Sequence, residues 1–117
     1  MPMNIELQYM YRDFGNFKNY GAVVFGNQSA LPITVIDDEL IRAFGEDRNF
    51  IATDLGLPDL FFKEFAHDPD LDWEMHEFCC VVPTKLPVND MSKRDIRDLL
   101  SKAAAKSSTN DVMAKSS

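Results

Sequence analysis

The segment "NIELQYMYR" (residues 4–12) has the pattern of a β-strand, and the predicted fold is built outward from it. Apolar and polar residues alternate along it, with Ile5, Leu7 and Tyr9 on one side and Glu6, Gln8 and Met10 on the other. A period of two is typical of a strand that buries one face. A second run, "YGAVVFG" (20–26), has the composition of a strand. The eight-residue stretch "RDFGNFKN" (12–19), which begins at the last residue of the first segment, is too long for a two-residue turn, so we predict an antiparallel hairpin with a long loop.

A helix is predicted after this hairpin. Apolar residues at helical spacing predict it over residues 35–44, and Gly45 supplies a stop. Thr34, with Asp37 three residues later, resembles a capping box.

A second helix, basic and amphipathic, is predicted over residues 91–106. Ser92 is its predicted N-cap, with Asp95 three residues later and a hydrophobic staple between Met91 and Ile96. Its apolar stripe consists of Ile96, Leu99, Leu100 and Ala103, and its basic residues are Lys93, Arg94, Arg97, Lys102 and Lys106. The polar residues 107–117 predict a disordered tail.

Two further strands complete the predicted fold. "NFIATDLG" (49–56) is the third and "WEMHEFCCVV" (73–82) is the fourth. In the fourth, Glu77 would share a face with Trp73, Met75, Cys79 and Val81, so either the strand bulges or that face is partly wet. The order β-β-α-β-β-α predicts an α+β domain: about four mainly antiparallel strands with helices on one face. We divide the chain into this domain (1–90), an appended helix (91–106) and a tail (107–117).

Charge is distributed unevenly along the chain. The net charge is −7, but residues 1–36 are neutral, residues 37–77 carry thirteen acids against three bases, and residues 78–117 are net +3. Such a block produces a directional field that bears on partners rather than on fold. It argues against direct nucleic-acid binding.

The sequence also bears on compartment. No run of about 20 apolar residues exists, so no membrane span is predicted. The first residues have neither a basic start nor an apolar run, so no secretory signal is predicted and the cytoplasm is the expected location.

The segment "HDPDLDWEMHEFCC" (67–80) is richest in metal-ligand residue types: His67, Asp68, Asp70, Asp72, His76, Glu77, Cys79 and Cys80. Their spacing matches no standard zinc or calcium motif. We therefore predict no cofactor, and favour a solvated acidic loop that leads into a strand with reduced thiols. A metal bound by His67, His76, Cys79 or Cys80 stays open as the alternative. Cys80 has no glycine-rich elbow and no basic neighbour, which disfavours nucleophilic catalysis.

The hairpin loop has two open interpretations. Arg12 and Lys18 are the only bases in the first 36 residues, and they lie beside Phe14, Phe17 and Tyr20. Bases with aromatic rings can stack a nucleobase or clasp an anion. Alternatively, the aromatic rings close the core while Arg12 pairs with an acid of its own chain.

The stretches "YRDFGNFKNYGAVVFGN", "FIATDLGLPDLFF" and "WEMHEF" resemble a family of short bacterial proteins of uncharacterised function. That family has a Tyr-Arg-Asp…Asn…Lys start and a His-Glu ending, and the resemblance covers residues 5–84. It implies no activity, cofactor or partner. The shared residues would be Tyr11, Arg12, Asp13, Asn16, Lys18, Gly56, Pro58, His76 and Glu77.

Three functional hypotheses follow, with binding favoured over catalysis. The first is a small acidic protein-binding module, of the inhibitor or immunity type, that acts on a basic or nucleic-acid-handling protein. Its expected contact residues are Phe61, Phe62, Glu64, Asp68, Asp70, Asp72 and Glu74.

The second hypothesis is a small-ligand or metal-binding domain, potentially an enzyme, that uses Arg12, Lys18, His76 and Glu77. It requires the first hairpin to lie beside the last strand. The third is a homodimeric structural domain, in which the basic helix packs on the acidic block of its own chain or of a second copy.

Overall fold

The computed structural model describes residues 3–12, 18–60 and 75–116, with side chains as far as Lys106. The elements in chain order are β1 (Asn4–Arg12), β2 (Lys18–Phe25), α1 (Ile33–Phe44), β3 (Asn49–Phe50), a 3₁₀ turn (Ala52–Leu55), β4 (His76–Thr84) and α2 (Ile96–Ser116). These form a curled, antiparallel four-stranded sheet with two helices, so the predicted α+β class is confirmed.

The strand order across the sheet is β2-β1-β4-β3. In the hairpin Ile5 lies opposite Phe25 and Arg12 lies opposite Lys18. On the other side of β1, Tyr11 lies opposite His76. The last long strand therefore lies beside the first, which is the arrangement that the second hypothesis requires.

The alternation predicted for β1 is confirmed. Ile5, Leu7 and Tyr9 are at most 2 % exposed and belong to one core with residues of both helices. Each such side chain contributes roughly 1.5–3 kcal/mol through removal of apolar surface from water. We call this core-facing side of the sheet the inner face, and the side that carries Glu6, Gln8 and Met10 the outer face.

A bulge in β4 decides which of its side chains reach the core. Gln8 of β1 pairs with Cys80, but Tyr9 pairs with Phe78, so Cys79 is an extra residue in the ladder. An extra residue reverses the alternation, and Phe78 and Val81 are consequently both buried in the core. Of the two alternatives left open, the bulge is confirmed, and Cys79 does not share the face of Val81.

The third strand is much shorter than the predicted 49–56. After Phe50 the chain turns, with the Asp54 amide donating to the Ile51 carbonyl and the Leu57 amide donating to the Ala52 carbonyl. Gly56 ends this turn at φ 71°, in the left-handed region that glycine tolerates. The turn forms because it buries apolar side chains that a straight strand would direct to both faces, namely Ala52, Leu55 and Leu57.

The predicted stop of α1 is confirmed, but its predicted start is wrong. Gly45 has φ 85° and donates its amide to the Ile41 carbonyl at 2.8 Å. The helix begins at Ile33, so Thr34 lies inside it. The N-cap is Pro32, which makes no side-chain capping bond because it has no acceptor to offer.

α2 is capped three residues later than predicted. The Asp95 carboxylate accepts from the Arg97 amide, and the Asp98 carboxylate accepts from the Asp95 amide, each at 3.1 Å. This reciprocal arrangement has the form of a capping box. Met91 is 86 % exposed, so the predicted staple does not form.

The apolar stripe predicted for α2 is confirmed. Ile96, Leu99, Leu100 and Ala103 are all buried in the same core as the sheet. The α2 backbone is helical through Ser116, and the disordered tail predicted for residues 107–117 stays a prediction. The predicted division at residue 90 implies that residues 1–90 fold without α2. This stays a prediction, which truncation of the chain tests.

The segment that leads into α2 covers one end of the β2 edge. The Val24 amide donates to Asn89 Oδ1 at 2.7 Å, and the Val24 carbonyl accepts from the amides of Asn89 and Asp90. The Gly26 carbonyl accepts from the Ile96 amide. These bonds satisfy edge groups that would otherwise be unpaired.

Candidate functional site

Three of the four predicted ligand-binding residues meet at one end of the outer face. Arg12 Nη2 lies 3.8 Å from Glu77 Oε1, on the neighbouring strand. Lys18 lies directly opposite Arg12 in the hairpin. The sheet therefore brings together two bases and one acid from three different strands.

The fourth residue, His76, lies apart from this group. It is 1 % exposed and pairs with Tyr11, whose side chain is buried on the inner face. The rings of Tyr9, Tyr11 and Phe50 surround its imidazole, with centroids 5.2–6.1 Å away. His76 and Glu77 are consecutive in a strand, and so they point to opposite faces.

The imidazole of His76 positions the backbone of residues 57–60. Its Nε2 accepts a hydrogen bond from the Leu60 amide at 2.9 Å. A nitrogen that accepts carries no proton, so this contact specifies the neutral imidazole protonated at Nδ1. His76 is therefore a hydrogen-bond acceptor that holds the backbone at Leu60 in place.

Two more polar contacts hold the same segment to the inner face. The Tyr9 hydroxyl donates to the Pro58 carbonyl at 2.6 Å, and Asn19 Nδ2 donates to the Leu60 carbonyl at 3.0 Å. Burial raises the pKa of Tyr9 to about 12, and the nearby Asp59 carboxylate adds to this effect. The Leu60 side chain covers Gly21, where an added Cβ would lie 2.7 Å from Leu60 Cδ2. The segment 57–60, which ends just before residue 61, is therefore held against the inner face of the sheet by these contacts.

The predicted contact residues of the acidic module lie outside the described residues; they are Phe61, Phe62, Glu64, Asp68, Asp70, Asp72 and Glu74. The same holds for Asp13, Phe14, Asn16, Phe17, His67 and Trp73.

The structure does describe the first part of the acidic block. Four exposed acids lie on α1 and in the turn after it, and we call them the α1 acidic surface: Asp38, Glu39, Glu46 and Asp47. Within the described ranges none of these four forms an ion pair, and the two ion pairs found there involve Glu77 and Asp90. The basic helix α2 packs beside α1 of its own chain, as the third hypothesis allows, without neutralising these carboxylates.

The described residues 3–12, 18–60 and 75–116 contain no group of three or more metal-ligand side chains. Cys80 Sγ lies 3.5 Å from Gln8 Oε1, to which it donates. Burial raises the pKa of the Cys79 thiol, with the neighbouring Cys80 and Glu77 adding to the effect. A raised pKa keeps a thiol protonated, which lowers its reactivity. Among the described helices, none is long and apolar enough to cross a membrane.

A cleft between α1 and α2 was not predicted from the sequence. It has a volume of about 660 Å³ and is lined by Leu31, Glu39, Arg42, Ala43, Arg97, Leu100, Ser101 and Ala104. Arg42 and Arg97 lie 55 positions apart in sequence, so only the packing of the two helices brings them to one cleft. The basic character of the second helix was the only sequence signal that pointed to Arg97.

Comparisons of this chain with protein-family models, with curated proteins and with solved structures find no match.

Proposed function

We propose that this protein is a small protein-binding module whose acidic surface docks onto a basic protein, in the manner of an inhibitor or immunity protein. One observation supports this function above the others. The carboxylates of the α1 acidic surface are exposed and form no ion pair within the described ranges, although a basic helix packs next to them.

Charge complementarity gives this surface a physical role. An acidic patch that is not neutralised internally attracts a basic partner and increases the rate of encounter. Salt screens this attraction, because exposed charges interact over about 8 Å at physiological ionic strength. Val35 is 39 % exposed and lies one turn before Asp38 and Glu39 on α1, so it offers an apolar contact within the charged surface.

The environment of His76 also favours binding over catalysis. Its Nε2 is engaged by the Leu60 amide, and its ring is enclosed by aromatic side chains. A general base needs to reach the proton that it removes. This imidazole instead orients the segment that leads into residues 61–74, which carry five more acids of the block.

The decisive experiment compares tagged wild-type protein with the triple variant Asp38→Asn/Glu46→Gln/Asp47→Asn. Proteins are captured from a lysate at low and at physiological salt and identified by mass spectrometry. We expect one basic protein to be captured by the wild type at low salt and to be reduced by salt and by the variant. Glu39 is left intact because it also lines the α1–α2 cleft.

Two further variants control this experiment. Lys85→Gln/Lys102→Gln changes two exposed charges elsewhere on the surface and should leave capture intact. Neutralisation of Glu64, Asp68, Asp70, Asp72 and Glu74 tests the second half of the block. Capture of the same proteins by wild type and by both acidic variants would refute the proposal.

A second function is favoured by the pairing of Arg12 and Lys18. Like charges directly opposite each other in a hairpin are destabilising, and in the described ranges Glu77 forms an ion pair with Arg12 but none with Lys18. An anion bound between the two bases would remove this repulsion. If this is a ligand site, inorganic phosphate raises the melting temperature of the wild type and does not raise that of Arg12→Gln/Lys18→Gln.

The homodimer remains a prediction. Sedimentation of the full chain measures it directly, and a monomer mass at micromolar concentration would contradict it.

A further inference from the structure

We propose that the cleft between α1 and α2 binds a small organic anion that has an apolar body, with Arg42 and Arg97 as the groups that recognise its charge. This site shares Glu39 with the α1 acidic surface, but the proposal does not depend on the proposed function. The cleft is separate from the sheet end that carries Arg12 and Lys18.

The two guanidinium groups reach the cleft without a carboxylate partner. The ion pairs found within the described ranges are Arg12–Glu77 and Arg94–Asp90, so neither Arg42 nor Arg97 is neutralised there. Glu39 lines the same cleft and is still not paired with either of them. Arg97 Nη1 donates to Ser29 Oγ at 3.2 Å, which restrains its side chain while leaving its charge available.

Arginine suits this role because of its geometry. Its planar guanidinium presents several N–H groups that match the two oxygens of a carboxylate or phosphate. Two arginines on facing helices approach an anion from both sides. The Ser101 hydroxyl lines the same cleft and offers a further donor.

The rest of the lining is apolar. Leu31, Ala43, Leu100 and Ala104 contribute methyl and methylene groups, and the small alanines leave the space open. The volume, about 660 Å³, lies within the usual range of roughly 300–1,000 Å³ for small-molecule sites. With Glu39 also in the lining, the two arginines leave a net positive charge beside an apolar surface, which fits an amphiphilic anion better than a simple inorganic ion.

The test uses monomeric octanoate as the probe with the ¹⁵N-labelled full chain, at constant ionic strength. We expect saturable chemical-shift changes at the Arg42 and Arg97 side chains and at the amides of Ala43 and Ser101. Arg42→Gln and Arg97→Gln should each weaken binding about tenfold, because each removes a hydrogen bond between charged groups. Lys102→Gln removes the same charge from α2 outside the cleft and should change affinity less than about twofold, as an exposed charge elsewhere does.

Two further measurements separate charge from shape. Ala104→Leu fills the cleft without changing charge, and it should abolish binding of octanoate. Ala104 is exposed, so this variant leaves the core intact. 1-Octanol and inorganic phosphate should each bind more weakly than octanoate. The proposal is wrong if octanoate does not bind, if the arginine and Ala104 variants bind it like wild type, or if phosphate binds as well as octanoate does.

Discussion

Two ion pairs in this protein have the same chemistry and very different surroundings. Arg94 Nη2 lies 3.0 Å from Asp90 Oδ1, and the side chains are 15 % and 2 % exposed. Arg12 Nη2 lies 3.8 Å from Glu77 Oε1, with side chains 39 % and 26 % exposed. The first lies in the segment that covers β2, and the second lies on the outer face of the sheet.

The number of hydrogen bonds separates the two pairs further. The Asp90 carboxylate also accepts from the amides of Ser92 and Arg94 and from Arg94 Nε. The Arg94 guanidinium lies 5.4 Å from the centre of the Phe25 ring, and its Nη2 donates to the Gly56 carbonyl. A buried pair with many hydrogen bonds is costly to break, whereas an exposed pair contributes little. Asp90–Arg94 is therefore part of the fold, whereas Arg12–Glu77 is a longer and more exposed pair that the fold depends on less.

The largest effect is expected from deletion of everything after Val88, which removes the Asp90–Arg94 pair together with α2. The sheet would lose the β2-edge bonds and four core side chains, namely Ile96, Leu99, Leu100 and Ala103. We expect the product to be unfolded, as measured by near-ultraviolet circular dichroism. Truncation after Lys106 keeps all these contacts and should retain cooperative unfolding. A folded 1–88 fragment would instead support the predicted division of the chain near residue 90.

Asp90→Asn should destabilise the protein by about 3 kcal/mol, because it leaves the Arg94 charge in a largely buried site. Urea unfolding at neutral pH measures this change. The double variant Asp90→Asn/Arg94→Met should recover part of the loss, since an apolar replacement removes the unpaired charge. A decrease in the free energy of unfolding of less than about 1 kcal/mol would mean that this pair contributes no more than an exposed surface ion pair.

The same carboxylate predicts a dependence of stability on pH. Burial acts to raise the pKa of Asp90, but the hydrogen bonds and charge of Arg94, with the Ser92 amide, outweigh it and lower the pKa. A native pKa below the unfolded value stabilises the protein above the unfolded pKa, near 4, and the contribution is lost as pH falls through the native value. Wild-type stability in urea should therefore fall more steeply than that of Asp90→Asn below about pH 4. Parallel curves would contradict this assignment.

Glu77→Gln should have the smallest effect, at most about 0.5 kcal/mol, because the pair with Arg12 is long and half-exposed. A double-mutant cycle with Arg12→Gln measures the coupling between the two residues. A coupling as large as that of Asp90 and Arg94 would mean that the outer-face pair is structural, and it would weaken the case for a ligand there.

Some of the fold could be predicted from local patterns. The alternation of Ile5, Leu7 and Tyr9 and the stripe from Ile96 to Ala103 both report burial directly, because the period of a hydrophobic pattern matches the geometry of its element. Gly45 was also identified as a helix stop, since few residues other than glycine adopt a positive φ without strain.

The start of α2 and the length of β3 could not be predicted locally, because contacts with other segments decide them. The cap of α2 is Asp95 rather than Ser92, because the Asp90–Arg94 contacts and the edge of β2 set where the chain can begin to turn. The third strand shortened to Asn49–Phe50 because the turn after it buries Leu55 and Leu57.

The candidate sites divide in the same way. The sequence by itself determined the composition of the acidic block, the basic character of α2 and the bases at Arg12 and Lys18. Only the tertiary structure put Glu77 beside Arg12, placed His76 on the opposite face, and brought Arg42 and Arg97 to one cleft. The physical reason is that local patterns specify which side of an element is apolar, whereas contacts between distant residues depend on strand register and on how helices pack.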